Sequence, residues 1–273
     1  MGSATRHRQA FLKQNPRCAF CGGLAQATTI EHCPPRSMFQ DRKWPEGFEF
    51  PSCERCNAST SNHDLLIALL GRMDPINDKG DQDGAFGGLV AQANRQFPGL
   101  FEKMKLSASE ARQSCRALGV TPAPGRTYQE TGVVNVPEEF HLAVCSLAAK
   151  LAKGVFYRET KQIFPEYGCL ALNWFTNADL IRDGKYVVFD LLKDLGGEVP
   201  ILKRSGQHLN NQFEYKWLAS NDIPFFIFQA SFGNSFGMAV WGCAERGRLE
   251  HKFDELKKKT GHDGPFCLIQ TGV

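Results

Sequence analysis

Two cysteine pairs, CAFC (Cys18 and Cys21) and CERC (Cys53 and Cys56), bracket an adjacent acid and imidazole, Glu31 and His32, in the stretch TIEHCPPR. Two thiolates separated by two residues can turn back on one cation at about 2.3 Å each, and two such knuckles complete the tetrahedral Cys₄ shell of a structural zinc. A shell of this kind is closed, so it braces the chain and offers no position at which water is activated. Chemistry then falls to the polar residues between and just after the knuckles: Glu31, His32, Asn57, Asn62, His63 and Asp64. An imidazole with an unperturbed pKa near ~6.5 can accept a proton at neutral pH. The oxygens of Glu31 and Asn57 are hard ligands that suit Mg²⁺ or Mn²⁺ better than zinc.

Other residues in the same region carry open or weaker readings. Cys33 lies beside His32, but a further thiolate between two complete knuckles exceeds the coordination of structural zinc, which leaves it outside the set. Asn57 directly follows the second knuckle, where Asn is also a favoured helix N-cap, and the ligand and cap readings stand level. Asn62 or Asp64 could serve in place of His63. Cys115, Cys145, Cys169, Cys243 and Cys267 fall in apolar surroundings and read as small core residues.

The order CxxC, acid-His-x-x-Pro, PSCERCN and then a histidine resembles the HNH, or ββα-metal, endonucleases, in particular their zinc-braced, endonuclease VII-like branch. The resemblance covers residues 17–65. It implies an endonuclease that hydrolyses phosphodiester bonds in nucleic acid, with double-stranded DNA as the default substrate. In that reading His32 is the general base, Glu31 the carboxylate that holds a catalytic Mg²⁺ or Mn²⁺, Asn57 an amide-oxygen ligand, and His63 a ligand to the ion or the phosphate. Cys18, Cys21, Cys53 and Cys56 hold the structural Zn²⁺. Glu31 stands where the family usually has Asp, FEFPSC where many members have Asn-Leu, and Ser59, Thr60 and Ser61 where Lys is common. The alternative is a non-catalytic zinc module that binds nucleic acid or a protein.

The elements that position these residues follow from local pattern. A basic helix is expected over Thr5–Gln14, broken by Asn15 and Pro16. Residues 17–62 hold few apolar side chains, so a metal has to replace part of a core. A buried helix begins at His63 in HDLLIALLGRM and ends at Asp74-Pro75; NDKGDQDGAFGG reads as a loop. Helices interrupted at Pro98-Gly99 follow, with a capping box from Ser107 to Glu110 and a linker in TPAPGRT. Leu142, Cys145, Leu151 and Val155 have helical spacing, YVVFDLL reads as a strand, and PFFIFQASFGNSFGMAVWG splits at Gly233-Asn234-Ser235 into a hairpin. The tail RGRLEHKFDELKKKTG reads as a charged surface helix. The fold class is α+β: a zinc module over residues 1–75, a helical connection over 76–125, and an α+β domain with an antiparallel sheet over 126–273, of unassigned role.

Composition bounds the partners. A formal net charge of +3 makes no case by itself for a polyanion. Locally, Arg6, Arg8, Lys13, Arg17, Arg36, Arg42, Lys43 and Arg55 outnumber nearby acids, which suits sequence-independent phosphate contact and equally a solvated face. Lys150, Lys153, Arg158 and Lys161 could extend such a surface, whereas Phe225 to Phe232 read as core. No apolar run approaches the roughly 20 residues of a bilayer span, and the first residues lack a secretory core. A cytoplasmic, reducing location with no membrane partner is the expectation; protein partners stay unassigned.

Overall fold

In the computed structural model, the described residues are 3–73, 83–186, 189, 199–220, 225–245 and 266–270. The expected tail helix lies outside them, as does YVVFDLL apart from Tyr186 and Phe189. The chain is α+β with antiparallel sheets. In order, it forms α1 (Ser3–Gln14), β1 (Thr29–His32), β2 (Glu49–Ser52), α2 (Glu54–Ala58), α3 (Ser61–Gly71), α4 (Phe86–Gln96), α5 (Leu100–Met104), α6 (Ala108–Ala117) and α7 (Glu138–Thr160). Then come β3 (Cys169–Thr176), α8 (Ala178–Asp183), β4 (Lys203–Arg204), β5 (Gln207–His208), β6 (Glu214–Ala219), β7 (Phe225–Phe232), β8 (Phe236–Cys243) and β9 (Phe266–Gln270).

β1 and β2 pair antiparallel, with Glu31 opposite Phe50 and His32 opposite Glu49. The larger sheet has the order β6-β7-β8-β3-β9, every neighbour antiparallel. β7 and β8 are the hairpin expected around Gly233, and Phe226, Phe228 and Phe232 are buried in the core. The capping box forms as read, Ser107 Oγ accepting from the Glu110 amide and Glu110 Oε2 accepting from the Ser107 amide. The chain turns between α4 and α5 at Gly99, whose left-handed φ of 82° follows Pro98 and strains a residue with a Cβ.

α7 organises the molecule. It is the described helix whose length and apolar content would suffice to cross a membrane, and that character is explained by burial: Phe140, Ala143, Val144, Leu147, Ala148, Leu151, Ala152 and Val155 are all in the core. One apolar cluster contains Phe20, Phe48 and Phe50 of the N-terminal segment, Leu66 to Leu70 of α3, these α7 residues, and Phe226 to Val240 of the large sheet.

A single stripe of α7 meets the N-terminal segment through Lys150, Lys153, Gly154, Tyr157 and Arg158, the i, i+3, i+4, i+7, i+8 spacing of one helical face. Lys153 Nζ donates to the Phe20 carbonyl at 2.9 Å, and the Tyr157 hydroxyl bonds Asn15 Oδ1. Arg158 lies over the Phe48 ring at 4.6 Å. At Gly154 a Cβ would meet the Phe50 ring at 2.9 Å, so the absent side chain lets β2 press against the helix.

Candidate metal centre and adjoining polar cleft

The first knuckle is folded by its own backbone. The Cys18 amide donates to the Ala25 carbonyl at 3.0 Å, and the Gly23 and Leu24 amides return to Cys18 and Cys21 at 3.1 and 3.3 Å. Gly22 and Gly23 adopt φ of 67° and 77°, and a Cβ at Gly22 would collide with the Glu166 backbone at 2.6 Å. The second knuckle straddles the end of β2 and the start of α2, the Ala19 amide reaching back to Pro51 at 2.9 Å. The sulfurs of Cys18, Cys21, Cys53 and Cys56 consequently lie within 4.8 Å of one another. Tetrahedral sites at about 2.3 Å would set sulfurs about 3.8 Å apart, so these four could hold a metal such as zinc with little adjustment.

The thiols share protons within the cluster. A hydrogen bond from Cys56 holds Cys18 down at about 4 and drives Cys56 upward in turn, while burial raises Cys21. A bound cation would ionise all four. Beside them the Lys153 ammonium, whose pKa burial lowers and the cysteines raise, supplies positive charge to a centre that is negative when fully ionised.

Glu31 and His32 occupy opposite sides of β1, because successive strand residues alternate. Glu31 points inward and is 4% exposed. Its Oε1 lies 3.2 Å from Lys150 Nζ, and its Oε2 is buried with no partner. Lys150 also donates to Thr60 Oγ1. Burial pushes the Glu31 carboxyl up to about 7, the Lys150 charge opposing and the Asp64 charge adding to the shift. Asp64 is likewise pushed up to about 6 by burial against the pull of Lys150. Cys33, the next inward residue, is fully buried near the same charges, and its thiol is raised well above its usual range. It takes no part in the sulfur cluster.

His32 faces the other side, half-buried. Its Nε2 lies 3.9 Å from Glu49 Oε1, and its ring meets Trp44 edge to face at 4.7 Å. Burial and the neighbouring Arg36 and Arg204 lower its pKa, with Glu49 opposing. Both sides meet at the end of the strand, where Glu31, His32, Thr60, His63, Asp64 and Lys150 line one narrow cleft. His63 Nδ1 is buried there without a partner, and burial and then Lys150 lower its pKa.

Asn57 is placed elsewhere. It lies inside α2 rather than at its N-cap, which is Cys53, and its Nδ2 donates to Thr29 Oγ1 at 3.2 Å. That contact ties α2 to the start of β1, and the cleft lining does not include it.

Asp64 and Lys150 are the cleft residues that sequence reasoning left without a firm role. Asp64 follows Thr60 by four residues, one turn of helix on the same face. The signal for Lys150 was a lysine in the helical stripe Ala143, Leu147, Lys150, where an apolar residue is expected. No family model, curated protein or solved structure matches the chain.

Proposed function

We propose that the chain is a metal-dependent endonuclease that hydrolyses phosphodiester bonds in nucleic acid, braced by zinc on Cys18, Cys21, Cys53 and Cys56. The observation that carries this reading is a pair of buried atoms without partners, Glu31 Oε2 and His63 Nδ1, on residues that line one cleft with His32 and Asp64. Buried polar atoms cost free energy unless satisfied, and a carboxylate oxygen and an imidazole nitrogen left unpaired in a cleft that Asp64 also lines are ligand types that a divalent cation such as Mg²⁺ or Mn²⁺ accepts. When bound, such an ion supplies charge stabilisation to a phosphate.

The chain's own residues do the rest. His32, kept neutral by burial and two arginines, accepts the proton of the attacking water. Glu49 stands near enough to stabilise the imidazolium that forms, and the Lys150 ammonium orients Glu31 and favours its ionised form against the burial that raises it. Asn57 contributes through its Nδ2 contact to Thr29, which ties α2 to β1.

A second reading follows from the same Lys150: its ammonium already sits 3.2 Å from Glu31, so the cleft could be neutralised internally and the module act by binding alone. Incubation with plasmid DNA and Mg²⁺ or Mn²⁺ separates the two. Cleavage abolished in His32→Ala supports the endonuclease; no cleavage by wild type under saturating ion, with DNA binding intact, supports the binding module.

A further inference from the structure

The side of β1 that carries His32 is built around Trp44. The guanidinium carbons of Arg36 and Arg204 lie over its ring at 4.8 and 3.5 Å from the centroid. The indole Nε1 is buried and has no acceptor. An arginine laid over a ring spends its flat π surface and leaves its in-plane N–H donors free. Among the described residues the Arg36 side chain donates no hydrogen bond, and the carboxylate nearest Arg204, Glu49, stands 3.8 Å away, beyond hydrogen-bond reach.

Arg204 comes from the far half of the chain, and its position is fixed. The β4–β5 hairpin is fastened to the β1–β2 connection by the Glu46 amide to the Lys203 carbonyl at 3.0 Å, and by the Ser205 amide to Glu46 Oε1 at 3.0 Å. Lys43 Nζ adds a bond to Gln207 Oε1 at 3.4 Å, while pairing with Asp41 at 3.2 Å. The cations over the indole are Arg36 and Arg204, and the carboxylates beside Arg204 are Glu49 at 3.8 Å and Glu46, whose Oε1 is taken up by the Ser205 amide.

We propose that Arg36, Arg204 and the Trp44 indole N–H form a clamp for a backbone phosphate of a nucleic-acid strand, neighbouring the one presented to His32. The placement relative to His32 rests on the endonuclease reading; the clamp as a strand-binding site does not. Two guanidinium forks stacked on one indole, that of Arg204 anchored through the β4–β5 hairpin, and an unused N–H are the donors, and phosphate contacts of this kind set register without reading sequence.

The test is fluorescence anisotropy of a labelled DNA duplex with the full-length, zinc-loaded protein across a salt series. The double variant Arg36→Gln/Arg204→Gln is expected to reduce the slope of log affinity against log salt by about 2 and to weaken binding about tenfold or more at low salt. Trp44→Phe keeps the ring but not the donor, and should weaken binding severalfold at unchanged slope. Arg204→Gln alone should reduce the slope by about 1, which keeps the test open if the double variant folds poorly. An unchanged slope in both arginine variants, no salt-dependent binding by wild type, or displacement of the duplex by inorganic phosphate at equal phosphate concentration would each overturn the clamp. Lost slope without any cleavage by wild type leaves the clamp standing and the endonuclease reading fallen; undiminished cleavage and binding by the arginine variants does the reverse.

Discussion

Lys150 of α7 places its ammonium 3.2 Å from Oε1 of Glu31 on β1, joining two side chains that are both almost wholly buried. Each charge is tolerable there because of the other. Lys150→Met should therefore destabilise the protein by about 3 kcal/mol, since the buried Glu31 loses the ammonium beside it. Combining it with Glu31→Gln should recover part of that loss. Chemical denaturation of the three variants in zinc-containing buffer checks this; a double variant less stable than Lys150→Met contradicts it.

The two buried carboxyls give a defined pH response. Glu31 and Asp64 are raised in the folded state, to about 7 and about 6, above the ordinary values they have when unfolded. Groups raised in this way contribute stability below their unfolded pKa that is lost as pH rises through the folded one. In magnesium- and manganese-free buffer, thermal stability should fall between about pH 4 and 7, and Glu31→Gln with Asp64→Asn should flatten the decline. A divalent ion bound by the ionised pair should offset it at pH 8.

Arg72 and Asp83 behave in the opposite sense. Arg72 reaches Asp83 through two nitrogens at 2.6 and 3.0 Å and also bonds the Ser37 and Phe39 carbonyls, pinning the β1–β2 connection against α3. The Arg72 hydrogen bonds hold the Asp83 carboxyl down at about 2. A depressed carboxyl gives stability that is present above its unfolded pKa and lost as pH falls through the folded one. Acid titration from pH 4 to 2 should show a stability loss that Asp83→Asn removes, that variant being the less stable of the two at pH 7.

Removal of the sulfur-bound metal should be severe. Cys53→Ser, or treatment with a strong chelator, is expected to release one equivalent of zinc and lower the melting temperature by many degrees, because the two knuckles lose the ion that joins them while only Phe20, Phe48, Phe50 and their neighbours in the core still hold the segment. Metal analysis beside thermal melts followed by near-ultraviolet circular dichroism reads both changes.

For catalysis, His32→Ala should reduce cleavage by about 10²- to 10⁴-fold with little change in melting temperature, the ring being only partly buried. With its pKa lowered below the ordinary imidazole value, the base-limited limb of the rate profile should level off below about pH 6.5.

Much of this was legible from local pattern. The paired cysteines announced their cluster through spacing, and the capping box at Ser107 and the β7–β8 hairpin each followed from residues within a few positions of one another. What stayed hidden depended on distant chain segments. Asn57 reads as ligand or cap from its neighbours alone, yet its side chain is committed to Thr29 across the fold. Arg204 offers no sign in sequence that it lies over Trp44, since a two-residue strand has no periodicity to betray it. The adjacent letters Glu31 and His32 suggested one shared task, whereas strand alternation sends them to different environments that rejoin only at the mouth of the cleft.

The stripe of α7 that meets the N-terminal segment bears on whether that segment is portable. Grafted onto another scaffold, the cysteine-bearing piece would leave behind the ammonium beside its carboxylate, the lysine beside its sulfurs and the helix against which Phe50 rests. Any transplant that works should have to carry residues 138–160 along with it.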